Sequence, residues 1–402
     1  MKTTKKNIED VLVLGVEDII EAAHLNKKLL SGKKLRIKHG IDPTGSKIHL
    51  GRAIVLWKLR EFQELGHKIV LIIGDFTAQI GDPSDKLEKR PFLSPVAVKK
   101  NLKNYLQQIG QIIDIKKVEV KYNSSWLKKL NFQEISELAE TFSVQQMVAR
   151  RNFKERWDKG QEISLREFLY PLLQGYDSMK IKSDLEIGGT DQLFNMLAGR
   201  KIQEHYGQKP QDVITTSMLL GLDGRKMSTS WGNVINISDS PDEQFGKIMS
   251  MRDEMIPHYL ELTTGFSKEI IEEHKKSLKK GVNPKLIKEI LATRIVARYH
   301  GGKKAEAARE NFEKKIVKKD LSSAELPYWK VKNEKLSVLD IILSPQGASR
   351  PGLSSKSEAQ RLIDQGGVQI NGETKKDMRE VVELKNNDTL KMGKHKIFRI
   401  RI

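Results

Sequence analysis

Two short segments, far apart in the chain, carry residue types that suit phosphate chemistry. The first is His49-Leu-Gly51, which falls at the start of a predicted helix. Backbone N–H groups and the helix dipole at such a position attract a phosphate. The second is the polar, basic run Arg225-Lys-Met-Ser-Thr-Ser230. A purely structural role is the alternative, since Gly51 also suits a close contact between a helix and a sheet.

The elements around the first segment form a strand, a helix and a second strand. Apolar residues alternate over residues 35–41, which predicts a short strand, and Asp42-Pro43 ends it. An apolar run with helical spacing then covers residues 50–65. Residues 69–73 are continuously apolar and predict a buried strand. This order indicates a βαβ unit of a parallel sheet.

Two further segments place polar side chains after predicted strands. The loop at 74–84 contains Asp82, which either caps a turn or faces the crevice at the carboxyl ends of the strands. A strand at 185–187 runs into Gly188-Gly189-Thr190-Asp191-Gln192. Glycines there allow a sugar or base to approach the backbone, and Asp191 is a natural acceptor for a ribose hydroxyl. The helix predicted next covers residues 193–205.

One helix carries three polar side chains at regular spacing. Tyr170, Gln174 and Asp177 stand at positions i, i+4 and i+7, so they share one face. Taken alone, this face predicts either a polar seam packed on a neighbouring element or one wall of a ligand pocket.

Composition limits the class of protein. The chain has 402 residues, which predicts two or three domains, and no apolar run approaches a membrane span. It contains no cysteine, which excludes disulfides and thiolate zinc sites and is compatible with a reducing cytoplasm. The net charge of +19 favours a polyanion such as nucleic acid, unless it reflects a general lysine bias.

The remaining segments have simpler patterns. Residues 1–33 predict a helical lead-in. Residues 106–165 are mostly helical, with one strand near 118–122. Residues 213–219 predict a further strand. Residues 241–320 are helical, and residues 314–335 read as a linker. The tail predicts a capped helix, a glycine stop, a short strand and an Asn371-Gly372 turn.

These segments resemble known signatures. His49-Leu-Gly51-Arg52 and the run at 225–230 are similar to the His-Ile-Gly-His and Lys-Met-Ser-Lys-Ser signatures of class I aminoacyl-tRNA synthetases. Longer blocks resemble the bacterial tyrosyl-tRNA synthetase family nearly end to end: GIDPTGSKIHLGR, LIIGDFTAQIGDPSD, SVQQMVARR, LREFLYPLLQGYDS and EIGGTDQLFN. The tail resembles the S4 RNA-binding fold.

The resemblance implies an α/β architecture with three domains. Residues 1–235 would form a Rossmann-like catalytic domain with a doubly wound parallel sheet and a helical dimerisation insertion at about 106–165. Residues 236–325 would form an α-helical domain that contacts the anticodon stem, and residues 336–402 a small α+β S4-like domain. The implied protein is a cytoplasmic homodimer without a membrane anchor.

The resemblance also implies a two-step reaction. Tyrosine and ATP, accompanied by Mg²⁺ but no protein-bound metal, would give tyrosyl-adenylate and pyrophosphate, and the tyrosyl group would pass to tRNA(Tyr). The implied catalytic residues are Thr44, His49, Lys86, Arg90 and Lys226. Those implied for ATP are His49, Gly51, Arg52, Gly189, Asp191, Lys226, Met227 and Ser228. Those implied for the amino acid are Asp42, Asp82, Tyr170, Gln174, Asp177 and Gln192, with Tyr170 and Gln174 on the α-ammonium and Asp177 on the phenol.

Four features depart from the family pattern. Arg52 replaces the last histidine of the first signature, Thr229 replaces the second lysine of the other, and Lys38 stands where one branch has a tyrosine near the phenol. Residues 344–353 resemble an insertion. Three alternatives stay open: a tryptophanyl-tRNA synthetase, a synthetase-derived RNA-binding protein without activation chemistry, and a small-molecule nucleotidyltransferase. Asp177 and the S4-like tail favour a tyrosyl enzyme.

Overall fold

A computed structural model describes residues 5–84, 93–102, 104–227, 231–314, 326, 328–343, 356–393 and 396–402. The chain separates into two compact units. The first comprises Met1–Ser240 and Lys247–Gly301, and the second comprises Pro241–Gly246 and Gly302–Ile402.

A six-stranded sheet forms the centre of the first unit. Its strands are β1 (Val16–Ile20), β2 (Arg36–Ile41), β3 (Lys68–Ile73), β4 (Glu119–Tyr122), β5 (Leu185–Gly189) and β6 (Asp212–Thr216). The spatial order is β1-β6-β5-β2-β3-β4, and all neighbouring pairs are parallel except β1 with β6. The predicted doubly wound parallel sheet is therefore confirmed.

Strand β1 corrects the prediction of a wholly helical lead-in. The segment contains α1 (Lys5–Val13), then β1, then α2 (Ala22–Leu30). Strand β1 is a partly exposed edge strand whose backbone pairs with β6, almost 200 residues away in sequence. A five-residue strand shows no clear alternation, so its existence depends on this distant partner. Strand β6 itself ends at Thr216, earlier than predicted.

The βαβ unit agrees with the sequence prediction. Helix α3 (Leu50–Glu64) begins directly after His49 and packs its apolar face on the sheet. Gly66 has φ +90°, a conformation that glycine adopts without strain, and β3 follows it. The start of α3 is therefore fixed beside the carboxyl end of β2.

Helices of four to 17 residues connect the remaining strands of the sheet. They are α4 (Thr77–Ile80), α5 (Pro95–Leu102), α6 (Tyr105–Ile109), α7 (Ser124–Leu127), α8 (Phe132–Glu140), α9 (Val144–Val148), α10 (Arg151–Asp158), α11 (Leu165–Ile181) and α12 (Leu193–His205). Helix α11 begins with a capping box between Ser164 and Glu167. Gly175 lets α11 approach α12 closely, since a Cβ there would lie 3.0 Å from the backbone of Ala198.

The prediction of a helical segment at 241–320 is confirmed for its described part, residues 241–314. The elements are α13 (Pro241–Met249), α14 (Ile256–Thr263), α15 (Lys268–Lys279), α16 (Pro284–His300) and α17 (Gly302–Phe312). Within the first unit, α16 packs on α3. Trp57 donates from Nε1 to the hydroxyl of Tyr299 at 2.9 Å, and the guanidinium of Arg298 lies 3.6 Å from the Trp57 ring centroid.

The second unit contains a small α+β fold. Strands β7 (Tyr328–Lys330), β9 (Val368–Ile370), β10 (Glu373–Thr374), β12 (Thr389–Met392) and β13 (Lys396–Arg401) form a sheet in the order β10-β9-β12-β13-β7. Strands β8 (Lys335–Ser337) and β11 (Val381–Glu383) pair separately, and α18 (Val338–Leu343) and α19 (Lys356–Asp364) belong to the same small fold. Asn371 and Gly372 have φ of 51° and 84°, as the predicted turn requires.

Strand β7 corrects the predicted linker at 314–335. Trp329 is buried at 1% exposure, and β7 pairs in parallel with the last strand, β13. Its register therefore depends on residues at the very end of the chain. The predicted insertion at 344–353 lies outside the described residues. None of the helices that the structure describes is long and apolar enough to cross a membrane.

Candidate active site

An open cavity of about 270 Å³ lies where four parallel strands of the first unit end. Its lining includes the last residues of β2 and β5 and the residues that follow β3 and β6. The strand order reverses at β2, which lies between β3 and β5. Ligands of open α/β sheets bind at such a point. The crevice predicted from the sequence is therefore present.

All predicted site residues that the structure describes line this cavity. They are Asp42, Thr44, His49, Gly51, Arg52, Asp82, Tyr170, Gln174, Asp177, Gly189, Asp191, Gln192, Lys226 and Met227. Lys86, Arg90 and Ser228 lie outside the described residues.

Amides and one carboxylate form an acceptor-rich cluster beside the cavity. Gln192 donates from Nε2 to Oδ2 of Asp82 at 2.6 Å, and the backbone N–H of Ser84 donates to Oδ1 at 2.9 Å. Nδ2 of Asn195 lies 3.0 Å from Oε1 of Gln192 and 3.1 Å from Oε1 of Gln174. A negative carboxylate next to amide oxygens suits a primary ammonium group, which has three donors and no acceptor.

Asp177 supplies a second, more deeply buried carboxylate. It is 3% exposed, and it accepts hydrogen bonds from Nε1 of Trp126 at 2.7 Å and Nδ2 of Asn123 at 3.2 Å. Burial raises the pKa of Asp177 to about 6, against the opposing effect of the Lys38 ammonium. The carboxylate is thus ionised at neutral pH and can accept a further hydrogen from a hydroxyl or N–H in the cavity.

Asp42 is held by two hydroxyl groups. Thr77 donates to Oδ1 at 2.7 Å, and Tyr170 donates to Oδ2 at 2.9 Å. Burial raises the pKa of Asp42 to about 7, which the hydrogen bond from Thr77 opposes and the charge of Asp82 reinforces. Through its hydroxyl, Tyr170 therefore joins helix α11 to the end of β2.

Backbone hydrogen bonds join the first signature segment to residues that follow the second. The N–H of Leu50 donates to the carbonyl of Ile235, and that of Ile237 donates to Ile48, both at 2.9 Å. A Cβ built on Gly51 would lie 3.2 Å from Sδ of Met227, which belongs to the second signature. The start of α3 thus lies close to the second signature, and a Cβ at Gly51 would require a neighbouring side chain to shift.

His49 presents a neutral imidazole to this part of the cavity. Burial, and then the charge of Arg52, lower the pKa of His49 to about 4. Its Nδ1 is buried and has no hydrogen-bond partner among the described residues. A buried, unpaired ring nitrogen at a helix N-terminus fits an anionic ligand that completes its hydrogen bonding.

Arg52 adds a permanent positive charge to the same region. Its Nη1 donates to the hydroxyl of Tyr105 at 2.6 Å, and its Nη2 lies 3.3 Å from Oγ1 of Thr44. Tyr105 is 1% exposed, so it fixes the guanidinium against a rigid wall. Arginine remains charged at any physiological pH and offers a planar set of donors to phosphate or ribose oxygens.

Sequence reasoning missed four polar residues at the site. His39 lines the cavity with Nδ1 2.8 Å from the carbonyl of Ile187, and burial lowers the pKa of His39 to about 4. Asn123 and Trp126 hold Asp177, and Asn195 connects three predicted residues. Asn123 directly follows β4, and strand ends are the signal that placed Asp82 and Asp191 at the crevice, but the sequence assigns β4 to the mostly helical segment 106–165.

Comparison with known proteins agrees with this arrangement. A family model described as tRNA synthetases class I (W and Y) matches residues 30–316, and an S4 domain model matches residues 348–385. A tyrosine--tRNA ligase of Thermotoga maritima is 45% identical over 392 residues, covering 97% of this chain and 96% of that protein. A tyrosine--tRNA ligase of Carboxydothermus hydrogenoformans is 44% identical over 98% of each chain.

A solved structure supports the fold. A C-terminally truncated mitochondrial tyrosyl-tRNA synthetase of Aspergillus nidulans has a TM-score of 0.63 at 20% identity, covering 77% of this chain and 93% of that one. The strand order, the convergent signatures and the family matches agree. The chain belongs to the class I aminoacyl-tRNA synthetases of the tryptophan and tyrosine group, and it carries a C-terminal S4 domain.

Proposed function

We propose that this chain activates tyrosine with ATP and transfers it to the 3′-terminal ribose of tRNA(Tyr). The observation that carries the proposal is the buried carboxylate of Asp177 in the cavity, one turn of α11 from Gln174. The relatives that match over nearly the whole chain are named tyrosine--tRNA ligases, which supports the same substrate.

The amino acid would bind between the two carboxylates. The α-ammonium group lies against Asp82, Gln174 and the ring of Tyr170, where acceptors are concentrated, and Gln192 faces the carboxyl region. The phenol donates its hydrogen to Asp177. Phenylalanine cannot supply this further hydrogen bond to Asp177, and a hydrogen bond to a charged group contributes about 1.5–3 kcal/mol.

ATP would occupy the part of the cavity between the two signatures. His49 and the backbone at Gly51 face phosphate, Gly189 and Asp191 face the ribose, and Met227 packs beside them. Arg52 and Lys226 contribute positive charge. Lys86, Arg90 and Ser228 belong to the same proposal on sequence grounds. Mg²⁺ would arrive with ATP and be held mainly by its phosphates.

The first step needs neither a general base nor a covalent enzyme intermediate. A tyrosine carboxylate is ionised at neutral pH and attacks the α-phosphate in line, which releases pyrophosphate. The chain's residues orient the two reactants and stabilise the charge that develops on the phosphorus and on the leaving group. Thr44, His49 and the positively charged side chains stabilise this developing charge.

The rest of the chain would bind RNA and a second copy. The net charge of +19 and the S4 domain support RNA binding by residues 236–325 and 336–402. A homodimer through residues 106–165 is supported by large apolar side chains that this segment exposes. These are Phe132, Val144, Trp157 and Leu165, between 59% and 85% exposed. A cytoplasmic location follows from the tRNA substrate.

Charging of tRNA tests the proposal. The purified chain is incubated with ATP, Mg²⁺ and bacterial tRNA, and labelled tyrosine or tryptophan is followed into acid-precipitable RNA. The expected result is tyrosyl-tRNA and no tryptophanyl-tRNA. Charging with tryptophan would overturn the substrate assignment. Tight tRNA binding without charging by either amino acid would instead support an RNA-binding protein that has lost activation chemistry.

A further inference from the structure

A fully buried ion pair lies behind the wall of the amino-acid site. Nζ of Lys38 is 2.9 Å from Oε1 of Glu186, and the side chains are 0% and 2% exposed. The two residues are direct partners on the neighbouring strands β2 and β5. Neither lines the cavity, so the proposed reaction does not use them directly.

The Lys38 ammonium group also binds helix α11. It donates to the backbone carbonyl of Gln174 at 2.8 Å and to Oγ of Ser178 at 2.7 Å. Together with Glu186, these contacts use all three of its donors. Both helical contacts lie within the one turn of α11 that carries Gln174 and Asp177.

Glu186 completes the network from β5. Its Oε1 accepts from Nε2 of Gln174 at 3.3 Å, and its Oε2 accepts from Oγ of Ser178 at 3.1 Å and from Nε2 of Gln211. Gln174 is thus held twice, by its backbone carbonyl and by its side-chain amide nitrogen. The carboxamide oxygen is the group left to face Asn195 and the cavity.

The Lys38–Glu186 pair is not explained by a gain in folding stability. Removing two charges from water is costly, and replacing a buried ion pair with apolar residues is often neutral or stabilising. The unusual feature here is that both partners also bind Gln174, Lys38 at its backbone carbonyl and Glu186 at its side-chain amide nitrogen. The network therefore fixes which end of the carboxamide points at the ligand.

We propose that Lys38 and Glu186 are positioning residues for amino-acid recognition, which hold Gln174 and its turn of α11 in the binding orientation. This inference rests on the proposed tyrosine activation. A pair that only filled the core would affect folding without affecting one substrate more than the other.

The charge of Lys38 also acts on Asp177. Burial raises the pKa of Asp177, and the Lys38 ammonium is the largest effect that lowers it. The other charged groups that influence Asp177 are Glu186 on β5 and Asp42 at the end of β2, both carboxyl groups. Losing the ammonium would therefore move the ionisation of Asp177 to higher pH.

The test compares Lys38→Met with the paired variant Lys38→Met/Glu186→Met by tyrosine-dependent pyrophosphate exchange. The paired variant leaves no unpaired buried charge, so it remains informative when the single variant folds poorly. We expect the KM for tyrosine to rise at least tenfold in both and the KM for ATP to change less than twofold. The acid limb of kcat/KM should move to higher pH in Lys38→Met, and by less in the paired variant, because Glu186 raises the pKa of Asp177. Thermal stability should recover in the paired variant while the KM for tyrosine does not.

Arg36→Met is the matched control. Arg36 lies on the same strand, pairs with Glu119 at 3.0 Å and donates to the carbonyl of Ile181 at the end of α11, but it does not contact Gln174. It should lower stability without raising the KM for tyrosine. Recovery of both stability and tyrosine KM in the paired variant would overturn the inference. Absence of exchange in the unaltered chain would instead overturn the proposed function.

Discussion

Nη1 of Arg52 lies 2.6 Å from the hydroxyl oxygen of Tyr105. This contact orients a permanent cation at the first signature, in the position where related synthetases end the motif with histidine. The neighbouring His49 is neutral, since its pKa is lowered to about 4. Positive charge on this side of the cavity therefore comes from Arg52 and not from an imidazolium.

Arg52→Ala should weaken ATP binding selectively. Losing one charge-assisted contact to a phosphate or ribose oxygen costs about 1.5 kcal/mol, so we expect the KM for ATP to rise about tenfold. The KM for tyrosine should stay within twofold. Arg60→Ala is the control, because Arg60 lies on the same helix but pairs with Glu64 and the carbonyl of Ile112. Equal effects of the two variants would show that Arg52 has no special role.

Asp177→Asn should reduce discrimination between tyrosine and phenylalanine. The amide oxygen is a weaker acceptor for the phenol hydrogen, and the amide NH2 group is a donor that faces this hydrogen unfavourably. We therefore expect a loss of about 3 kcal/mol, or about 10²-fold, in kcat/KM for tyrosine. The kcat/KM for phenylalanine should change little. Asp75→Asn serves as the control, since Asp75 binds Ser124 outside the cavity. A parallel loss for both amino acids would contradict the assignment of Asp177.

Gly51→Ala should weaken nucleotide binding without unfolding the chain. The new Cβ would lie 3.1 Å from Nδ1 of His49 and 3.2 Å from Sδ of Met227, tighter than ordinary contact. We expect the KM for ATP to rise about tenfold, consistent with an overpacking cost of about 1–3 kcal/mol. Gly45→Ala is the comparison, because its Cβ would meet nothing within 4 Å. Unchanged ATP binding in Gly51→Ala would refute the close approach of the two signatures.

Two buried carboxyl groups predict a pH dependence of stability. In the folded chain the pKa of Asp42 is raised to about 7 and that of Asp177 to about 6, above the ordinary value of 3.8. The folded state therefore binds more protons, and the contribution of these groups to stability is present below about pH 4 and is lost as the pH rises to about 7. Without ligands, Asp177→Asn should gain stability relative to the unaltered chain between pH 5 and 8, on the order of 2 kcal/mol. Equal melting temperatures of Asp177→Asn and the unaltered chain at both pH 5 and pH 8 would exclude this gain in stability.

The parts of the fold that are determined locally could be predicted from the sequence. Strand β2, helix α3 and helix α12 have clear periodicity and stop signals, and the i, i+4, i+7 spacing on α11 placed Gln174 and Asp177 on one face. Strands β1 and β7 could not be predicted, because each is short and pairs with a partner far away in the sequence.

The site shows the same division. Asp82 and Asp191, which lie in segments that follow predicted strands, could be placed at the crevice because strand ends converge. The residues that orient them were missed. Asn123 and Asn195 contribute to the site through hydrogen bonds to Asp177 and Gln174. The partner of Lys38 can be identified only when β2 and β5 are known to be adjacent. Side-chain networks depend on register, which a single sequence does not reveal.

The most direct test of the account is amino-acid-dependent exchange of pyrophosphate into ATP, with tyrosine, phenylalanine and tryptophan in turn. This measures the first step alone, without any contribution from tRNA binding. We expect exchange with tyrosine and at most about 1% of that rate with phenylalanine or tryptophan, in line with the loss of about 3 kcal/mol for one hydrogen bond to a buried carboxylate. Exchange with tryptophan, or comparable rates with tyrosine and phenylalanine, would contradict it.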